Sequence, residues 1–412
     1  MLEDKIISAI VSESGTPVYI YDGDLLRETA RNLSGSFEAL NPHYSFKANP
    51  NIEIAGTILS AGFGAEVSSE FEARAAIRAG FTPEKIMYDG PAKTAGEIRH
   101  ALSSGISHFN VESRHEAGRI ISELKTAGKN ITPRVCLRVN PEKASSAGEV
   151  MTGESSRFGI DEEIMAKEAE YITAAGMNIN GIHLYVGSQI LEESRVVENF
   201  RTGLTILSGL YEKNLLDKNS PLIFTFGPGI GVSYEKEKDS GDYSSIAGRL
   251  AGLTEEFSEK HCALSVKTEI GRLLTARAGI YVTRVVETKA SRGRLYILVD
   301  GGIHHFMRYA LTGAAHRTKI IGAAESGAKT PAVIGGATCT PYDMLTMAEI
   351  ETPEPGALVA ILDAGAYGWS MGMANFLSRP TPPEVMAEGG KWRIIREAGT
   401  FDGLTEPGRA DR

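Results

Sequence analysis

Eight short β-rich segments follow one another through the first two thirds of the 412-residue chain, and stretches of helical character separate them. The segments are His43–Lys47, Gly64–Val67, Lys85–Asp89, His108–Val111, Arg134–Asn140, Gly181–Gly187, Leu222–Gly227 and Leu264–Glu269. From Ser69 to Gly80 apolar residues recur at helical spacing, which predicts a helix capped by the serine. Eight alternating strand and helix units are typical of a (β/α)8 barrel. A doubly wound open sheet is the competing interpretation, because strand boundaries read from a sequence are imprecise.

The pattern changes after about residue 275. Four later β-rich segments lack regular helical partners: Ile280–Thr288, Leu295–Val299, Leu358–Leu362 and Lys391–Ile395. They predict a second, β-rich domain, and Thr16–Tyr21 is interpreted as a strand of it. The expected α/β organisation is therefore a barrel over residues 22–272 and a β-rich domain made of residues 1–21 and 273–412.

The charge balance limits the partners that the chain is expected to have. With 43 Lys and Arg against 52 Asp and Glu, the net charge is -9 and the basic residues are scattered, so no nucleic-acid surface is expected. No run approaches the roughly 18 apolar residues of a membrane span, and the acidic start, Met1–Lys5, is unlike an export signal. Cys136, Cys262 and Cys339 lack metal-ligand spacing and cannot all pair, which predicts a cytoplasmic protein without a metal site.

The carboxyl ends of barrel strands are where catalytic groups are expected. Lys47 ends the first segment, and a lysine amine between low-dielectric walls is costly unless it is neutral or covalently used, so Lys47 is a candidate Schiff-base residue. The alternative is a lysine that reaches the surface from a strand edge. Gly227–Gly231 could present N–H groups to a phosphate or form a plain turn. Glu269 could hold a pyridine nitrogen in its protonated form, or pair with Arg272 or Arg157.

These residues lie in motifs that resemble, in the same order and over nearly the whole chain, those of the fold-type III pyridoxal-5′-phosphate (PLP) decarboxylases. That group holds the diaminopimelate, ornithine and arginine decarboxylases. The motifs are Tyr44–Asn49, Gly64–Ser69 with Glu72, Arg157–Ile160, Gly181–Gln189, Gly227–Gly231, Glu269–Arg272, Val299–Gly302, Cys339–Asp343 and Gly365–Gly368. The resemblance implies an alanine-racemase-like barrel with a C-terminal β-rich domain, PLP as cofactor, decarboxylation of a small amino acid or a similar acid, and a homodimer with shared active sites.

The resemblance also implies roles for individual residues. Lys47 would bind PLP covalently, and Glu269 would bond the pyridine nitrogen. The phosphate would be held by Ser188, Gly229, Gly231 and Tyr367. Other cofactor contacts are expected from Glu66, Arg157, His183 and Tyr185. Cys339, in a loop that each subunit lends to the other, would be the catalytic acid, with Asp343 supporting the loop; taken alone, the cysteine could instead be a small buried apolar residue.

Three positions depart from the family pattern. Tyr185 stands where the family usually has a histidine stacked on the cofactor ring, and an aromatic ring can still stack there. Pro228 replaces the middle glycine of the phosphate loop and removes one N–H donor. Thr312 replaces an expected tyrosine. Cofactor binding is expected to survive the change at residue 185, whereas the change at residue 228 is expected to loosen the grip on the phosphate.

A fourth departure, at Thr340, bears on the substrate. Diaminopimelate decarboxylases have a glutamate there that reads a distal ammonium group, and ornithine decarboxylases have an aspartate, whereas threonine carries no charge. Arg308 nevertheless resembles the substrate arginine of the diaminopimelate enzyme. The residues expected to bind substrate are Arg272, Arg308, Thr312, Thr340 and Asp343.

The expected substrate therefore keeps a distal carboxylate or similar acceptor and lacks a distal ammonium. The Cys-Thr-Pro-x-Asp variant is similar to that of decarboxylases in specialised pathways, which act on a carrier-protein-tethered glutamyl group, on citryl siderophore intermediates or in exopolysaccharide-associated clusters. The alternatives are diaminopimelate decarboxylase itself, an amino-acid racemase, and a non-catalytic PLP-binding homologue.

Overall fold

The computed structural model of the chain describes residues 2–127, 131–143, 145, 149–235, 243–323, 327–400 and 403. The helices are α1 Asp4–Ser14, α2 Gly23–Ser36, α3 Ile52–Leu59, α4 Glu70–Arg78, α5 Ala95–Ser103, α6 Arg114–Ala127, α7 Glu162–Ala174, α8 Glu193–Glu212, α9 Tyr243–Lys260, α10 Arg272–Thr275 and α11 Arg308–Thr312. The strands up to the end of the barrel are β1 Val18–Asp22, β2 Pro42–Ser45, β3 Gly64–Val67, β4 Ile86–Tyr88, β5 His108–Val111, β6 Arg134–Asn140, β7 Glu149–Val150, β8 Ile160–Asp161, β9 Gly181–Tyr185, β10 Gly187–Ser188, β11 Leu222–Gly227 and β12 Leu264–Ile270. The later strands are β13 Gly279–Ser291, β14 Arg294–Val299, β15 Thr318–Ile320, β16 Thr330–Gly335, β17 Met344–Ile350, β18 Leu358–Ile361, β19 Glu384–Glu388 and β20 Lys391–Arg396.

The chain forms two compact units. The barrel unit is residues 30–232 and 240–273, and the sheet unit is residues 1–29, 233–239 and 274–412. The boundaries expected from the sequence, between residues 21 and 22 and between residues 272 and 273, remain a prediction. No helix among the described residues combines the length and the apolar composition needed to cross a membrane.

The barrel unit is a closed ring of eight parallel strands. Their order is β2-β3-β4-β5-β6-β9-β11-β12, and β12 pairs with β2 through Thr268↔Pro42 to close the ring. Most strand residues are buried, as expected where helices cover the outside and side chains fill the inside of a parallel barrel. The predicted (β/α)8 barrel is therefore confirmed, and the open sheet is wrong.

Helix α4 shows how local sequence sets the elements of the barrel. The Ser69 hydroxyl accepts a hydrogen bond from the Glu72 N–H at 3.1 Å, so the serine caps the first turn. The helix ends at Arg78, and Gly80 follows with a φ of 103°, a backbone conformation that glycine adopts without steric cost. The helix predicted between Ser69 and Gly80 is confirmed.

The sheet unit is built on a mixed sheet in the order β17-β16-β14-β13-β1-β19-β20, and β18 pairs with β13 and β15. Strand β1 lies between β13, which is antiparallel to it, and β19, which is parallel to it. The apolar face of α1, Ile7, Ile10 and Val11, packs in one core with Val18 and Ile20 of β1. The predicted pairing of the N-terminal segment with the β-rich domain is confirmed.

Candidate active site

Lys47 and Glu66 form an ion pair at the carboxyl ends of β2 and β3. The predicted first strand includes Lys47, but the strand ends at Ser45 and a single 3-10 turn, Phe46–Ala48, carries the lysine beyond it. The Lys47 Nζ lies 3.0 and 3.1 Å from the two carboxylate oxygens of Glu66. The Glu66 side chain is fully buried, whereas a third of the Lys47 side chain is exposed. Burial raises the pKa of Glu66, although the nearby lysine opposes the rise.

His183, on β9, lies between two buried carboxylates. Its Nδ1 is 3.3 Å from Asp89 Oδ1, and its Nε2 is 3.4 Å from Glu269 Oε1. Burial alone would lower the pKa of His183, but Asp89 and Glu269 together outweigh it and raise the pKa. Although Asp89 is buried, His183 and Arg138 hold the pKa of its carboxyl well below the ordinary range.

The buried charges continue from Asp89 towards the loop that contains Arg157. Arg138, on β6, donates a hydrogen bond to Glu112 at 2.6 Å, and the other Glu112 oxygen accepts from the Gly159 N–H at 2.6 Å. The guanidinium groups of Arg138 and Arg157 each lie 4.7 Å from the centre of the Phe158 ring. Arg157 itself is exposed, so its predicted cofactor contact remains a prediction.

The glycine loop that follows β11 packs against the end of β9. A Cβ added at Gly229 would overlap the carbonyl oxygen of Gly187, and Gly229 also has a φ of 63°. The Gly231 N–H donates to the Ile190 carbonyl at 3.0 Å, so this predicted phosphate donor already has a partner within the barrel. Gln189 fixes the far end of the loop, because its amide accepts from the Val232 N–H and donates to the Val232 carbonyl, at 2.9 and 3.1 Å.

Tyr185, Ser188 and Arg272 complete this end of the barrel. The Lys47 Nζ lies 5.5 Å from the centre of the Tyr185 ring. A Cβ added at Gly227 would overlap that ring and come within 3.1 Å of Glu269 Oε2, so the glycine makes room for both side chains. Arg272 donates to the Ser188 hydroxyl at 3.1 Å. The predicted residues of the barrel unit are thus gathered at one end of the ring, with the exposed Arg157 at the side.

In the sheet unit, Cys339 lies in a loop that Asp343 holds in shape. One carboxylate oxygen of Asp343 accepts from the Ile303 N–H at 2.8 Å, and the other accepts from the N–H and the hydroxyl of Thr338. Cys339 is exposed and Thr340 is half-buried. The alternative interpretation of Cys339 as a small buried apolar residue is therefore wrong.

Arg308 is buried in the sheet unit and held from two sides. Its guanidinium lies 3.8 Å from the centre of the Tyr234 ring and donates to His316 Nε2 at 3.3 Å. The other ring nitrogen of His316 is 2.8 Å from the Leu362 carbonyl, which fixes the tautomer that accepts from Arg308. Thr312 is exposed, and its hydroxyl donates to the Arg308 carbonyl at 2.9 Å.

Tyr367 is half-buried in a glycine-rich turn of the sheet unit. It has a φ of 56°, which is rare for a tyrosine. Cβ atoms added at Gly365 and Gly368 would overlap the carbonyl oxygens of Thr275 and Ala364. The glycines of this motif are therefore required by close packing, and the phosphate contact expected of Tyr367 remains a prediction.

The residues of the barrel unit fit PLP at each of its three functional groups. Lys47 offers an amine, and the loop from Gly227 to Gly231 offers a close-packed backbone beside the Ser188 hydroxyl. The buried Glu269 Oε1 makes no hydrogen bond of ordinary geometry to a described residue. A buried acceptor without a donor costs about 1–3 kcal/mol, and a protonated ring nitrogen is the kind of donor that would satisfy it.

Comparison with known proteins identifies the same cofactor. Residues 24–276, more than half of the chain, match the model of the "Pyridoxal-dependent decarboxylase, pyridoxal binding domain" family. The L-glutamyl-(BtrI acyl-carrier protein) decarboxylase of Niallia circulans is 32% identical over 98% of this chain and 96% of its own length. The diaminopimelate decarboxylase of Aquifex aeolicus is also 32% identical, over 98% of this chain and 94% of its own.

A solved structure agrees with these relatives. The diaminopimelate decarboxylase of Helicobacter pylori, crystallised with L-lysine, superposes with a TM-score of 0.84 at 27% identity, over 97% of this chain and 98% of that one. The resemblance predicted from motifs thus extends over the whole fold. The chain belongs to the pyridoxal-dependent decarboxylase family and is a PLP-dependent carboxy-lyase.

Proposed function

We propose that the enzyme decarboxylates an amino-acid group that carries a distal carboxylate or similar acceptor and no distal ammonium, either free or tethered to a carrier protein. The observation that carries this proposal is the neutral Thr340, next to Cys339 in the exposed loop that Asp343 shapes. A distal ammonium needs a negative partner when it leaves water, and threonine supplies none. The Niallia circulans relative, whose name specifies a carrier-bound glutamyl group, supports a tethered substrate.

In this proposal the barrel residues hold the cofactor as the sequence predicts. Bound PLP supplies an electron sink for the carbon that loses carbon dioxide. Lys47 can form a covalent bond only as a neutral amine, and the buried Glu66, 3.0 Å away and with a raised pKa, can hold the proton that Lys47 gives up. Glu269 would bond the ring nitrogen. Ser188 and Gly229 would hold the phosphate, and Gly231 would shape the loop through its hydrogen bond to Ile190.

The sheet unit contributes the acid and the substrate contacts. The Cys339 thiol would deliver a proton to the carbon that has lost carbon dioxide. The Arg308 guanidinium, held by Tyr234 and His316, would bind the distal carboxylate, since guanidinium and carboxylate groups pair through two parallel hydrogen bonds. We propose that both act in a homodimer with shared active sites, which sedimentation at assay concentration tests. The cytoplasmic location expected from the cysteines stays a prediction.

Diaminopimelate decarboxylase is the second candidate. Arg308 resembles the substrate arginine of that enzyme, and the Aquifex aeolicus relative bears its name at the same identity as the Niallia circulans one. The two candidates differ in the distal ammonium, which diaminopimelate has and a glutamyl group lacks. Residue 340 is therefore the position at which they can be separated.

The test is a count of released carbon dioxide from L-glutamate, a glutamyl pantetheine thioester, meso-diaminopimelate and L-ornithine. We expect turnover of a glutamyl substrate and little of the two diamino acids. Thr340→Glu should shift the ratio towards meso-diaminopimelate by about tenfold or more, because it adds the missing charge. Met347→Glu adds the same charge at an exposed position outside the loop and should leave the ratio unchanged. Efficient turnover of meso-diaminopimelate by the unaltered enzyme would overturn the proposal.

A further inference from the structure

We infer that His183 is a positioning residue that stays doubly protonated between Asp89 and Glu269, and that it thereby keeps Glu269 negatively charged and fixed in place for the cofactor nitrogen. The inference rests on the proposed role of Glu269. It assigns His183 a different task from the direct cofactor contact that the family resemblance implies. The imidazole would act through Glu269, not on the cofactor itself.

The geometry around the ring sets its protonation state. Both nitrogens of His183 face a carboxylate oxygen, at 3.3 and 3.4 Å, and the side chain is fully buried. A neutral imidazole has one donor and one acceptor, so one of its lone pairs would point at a carboxylate. An imidazolium has two donors and forms an ion pair with a carboxylate on each side, in contacts that are longer than ordinary hydrogen bonds and leave Glu269 Oε1 without one. The doubly protonated ring is therefore the state that these neighbours favour.

The alternation of charge among the neighbouring buried groups, which form a row, leads to the same conclusion. From the Arg157 loop inwards the groups are Glu112, Arg138, Asp89, His183 and Glu269. With a charged His183 the signs alternate along the whole row. With a neutral His183, Asp89 and Glu269 would be two buried carboxylates separated by an uncharged ring, and Arg138, which acts on both of them, already pairs with Glu112. The upward direction of the His183 pKa agrees with the charged row.

The row leaves one negative charge at its inner end, on Glu269. That charge matches a protonated ring nitrogen, which is the form in which PLP withdraws electrons best. Three charged groups from elsewhere in the barrel face His183. Arg138 lies on β6, Glu269 lies on β12, and Asp89 directly follows β4. Of these, Arg138 opposes protonation and the two carboxylates favour it.

His108 provides a matched control inside the same barrel. It lies on β5 and is buried like His183, but its charged neighbours are Lys267 and Arg134 instead of carboxylates. Burial and these cations hold the pKa of His108 well below the ordinary value, so this imidazole is expected to be neutral. The two buried histidines should thus differ in charge within one protein.

The first experiment is nitrogen NMR of the holoenzyme labelled with 15N-histidine, between about pH 6 and pH 9. We expect one buried imidazolium signal that does not titrate in this range and that His183→Asn removes. His108→Asn should remove a neutral imidazole signal instead. In Asp89→Asn, which keeps the histidine, the signal should begin to titrate within the range. A neutral His183 signal in the unaltered holoenzyme would overturn the inference.

The second experiment measures cofactor affinity and the visible absorbance band against pH, with no substrate present. His183→Asn and Asp89→Asn should weaken PLP binding by about tenfold and make the band change with pH, whereas His108→Asn should leave both unchanged. Glu269→Gln should weaken binding at least as much as His183→Asn. If Glu269→Gln has no effect, the proposed role of Glu269 fails and the inference with it. If the substrate proposal fails, only the result of the carbon dioxide assay changes. The histidine NMR signals, the PLP affinity and the absorbance band do not depend on it.

Discussion

The barrel unit contains two partly buried lysines that differ in what their amines contact. Lys47 lies beside the fully buried Glu66 at the carboxyl ends of the strands. Lys267, in the middle of β12, has its pKa lowered by burial and by Arg134. A lowered pKa alone would make Lys267 the better nucleophile, so position beside an acceptor, and not burial, favours Lys47 over it. The buried Lys93 also has a carboxylate neighbour, but its amine already donates three hydrogen bonds, to Gly90, Asn110 and Glu116.

This comparison gives a direct test of the covalent attachment. Lys47→Ala should abolish a visible absorbance band that borohydride removes from the unaltered holoenzyme. Lys267→Ala should keep the band, because it takes away a barrel lysine without touching Glu66. Loss of the band in Lys267→Ala together with its retention in Lys47→Ala would contradict the assignment. A protein that stays colourless with added PLP in every form would contradict it as well.

Sequence patterns locate single reactive residues better than buried networks. Lys47 and Glu269 stand out because each is a charged residue at the end of an apolar segment. Asp89 has the same signature, since it directly follows β4, and it was missed because it belongs to none of the recognised motifs. Its meeting with His183 depends on the closure of the barrel, because β4 and β9 are not neighbours in the ring. A one-dimensional pattern carries no information about that contact.

At the scale of elements, the loop from Gly227 to Gly231 shows how strand ends are joined into a cradle. Gln189 binds the loop with both atoms of its amide, and Ile190 accepts from the Gly231 N–H. Pro228 lacks an N–H, so the backbone donors that remain in the loop must be placed accurately. This placement requires glycine where the backbone approaches Gly187.

Gly229→Ala should therefore weaken PLP binding by about tenfold or more, because its Cβ would push the loop away from Gly187. Gly176→Ala is the matched control: this glycine also has a positive φ, 92°, but a Cβ there would meet no atom within 4 Å. Both substitutions carry a backbone cost on the order of 1–2 kcal/mol because each φ is positive, but only Gly229→Ala brings a Cβ into collision. PLP titration followed by absorbance or fluorescence measures the difference. Equal affinities in the two variants would show that the loop does not grip the phosphate.

Strand β19, which the sequence pattern does not predict, shows one physical reason why a strand can be missed. The four predicted strands of the β-rich domain contain long apolar or β-branched runs, and each lies within or close to an observed strand. Strand β19 begins at Glu384, a residue that disfavours a buried strand in any pattern analysis. The structure buries Glu384 completely because the Tyr21 hydroxyl donates to it at 2.6 Å and Arg396 pairs with it. The Tyr21 contribution comes from a distant part of the chain, where a pattern read along the sequence does not reveal it.

At the scale of the molecule, both units contain buried histidines that resist protonation. Burial lowers the pKa of His43 to about 3, that of His304 to about 4 and that of His305 to about 3. The unfolded chain would bind protons at these positions below pH 6.5, while the folded chain would not. The stability that they contribute is thus present above pH 6.5 and is lost as the pH falls towards 4.

We therefore expect these histidines to lower the melting temperature as the pH falls below about 6.5, against the opposite contribution of buried carboxyls such as Glu72, whose pKa burial raises to about 7. His43→Asn should reduce the number of protons taken up on unfolding by about one, because it removes one of the groups that the unfolded chain protonates. The dependence of the melting temperature on pH should change accordingly. His115→Asn, at an exposed position on α6, should leave the slope as it is. Calorimetry over this pH range checks both variants. An unchanged slope in His43→Asn would show that this histidine is protonated in the folded protein too.

The position of β1 has a consequence for synthesis on the ribosome. Tyr19 pairs with Tyr281 on one side and with Glu384 on the other. The first strand of the chain therefore lacks both of its neighbouring strands until β13 and β19 have been synthesised. The barrel unit is translated in between and can complete its ring first, as early domains do. Until β13 emerges, the apolar segment Val18–Tyr21 has unpaired backbone groups and invites association with other nascent chains. If a ribosome stalls before β19 is synthesised, the side of β1 that normally pairs with β19 keeps its unpaired backbone groups.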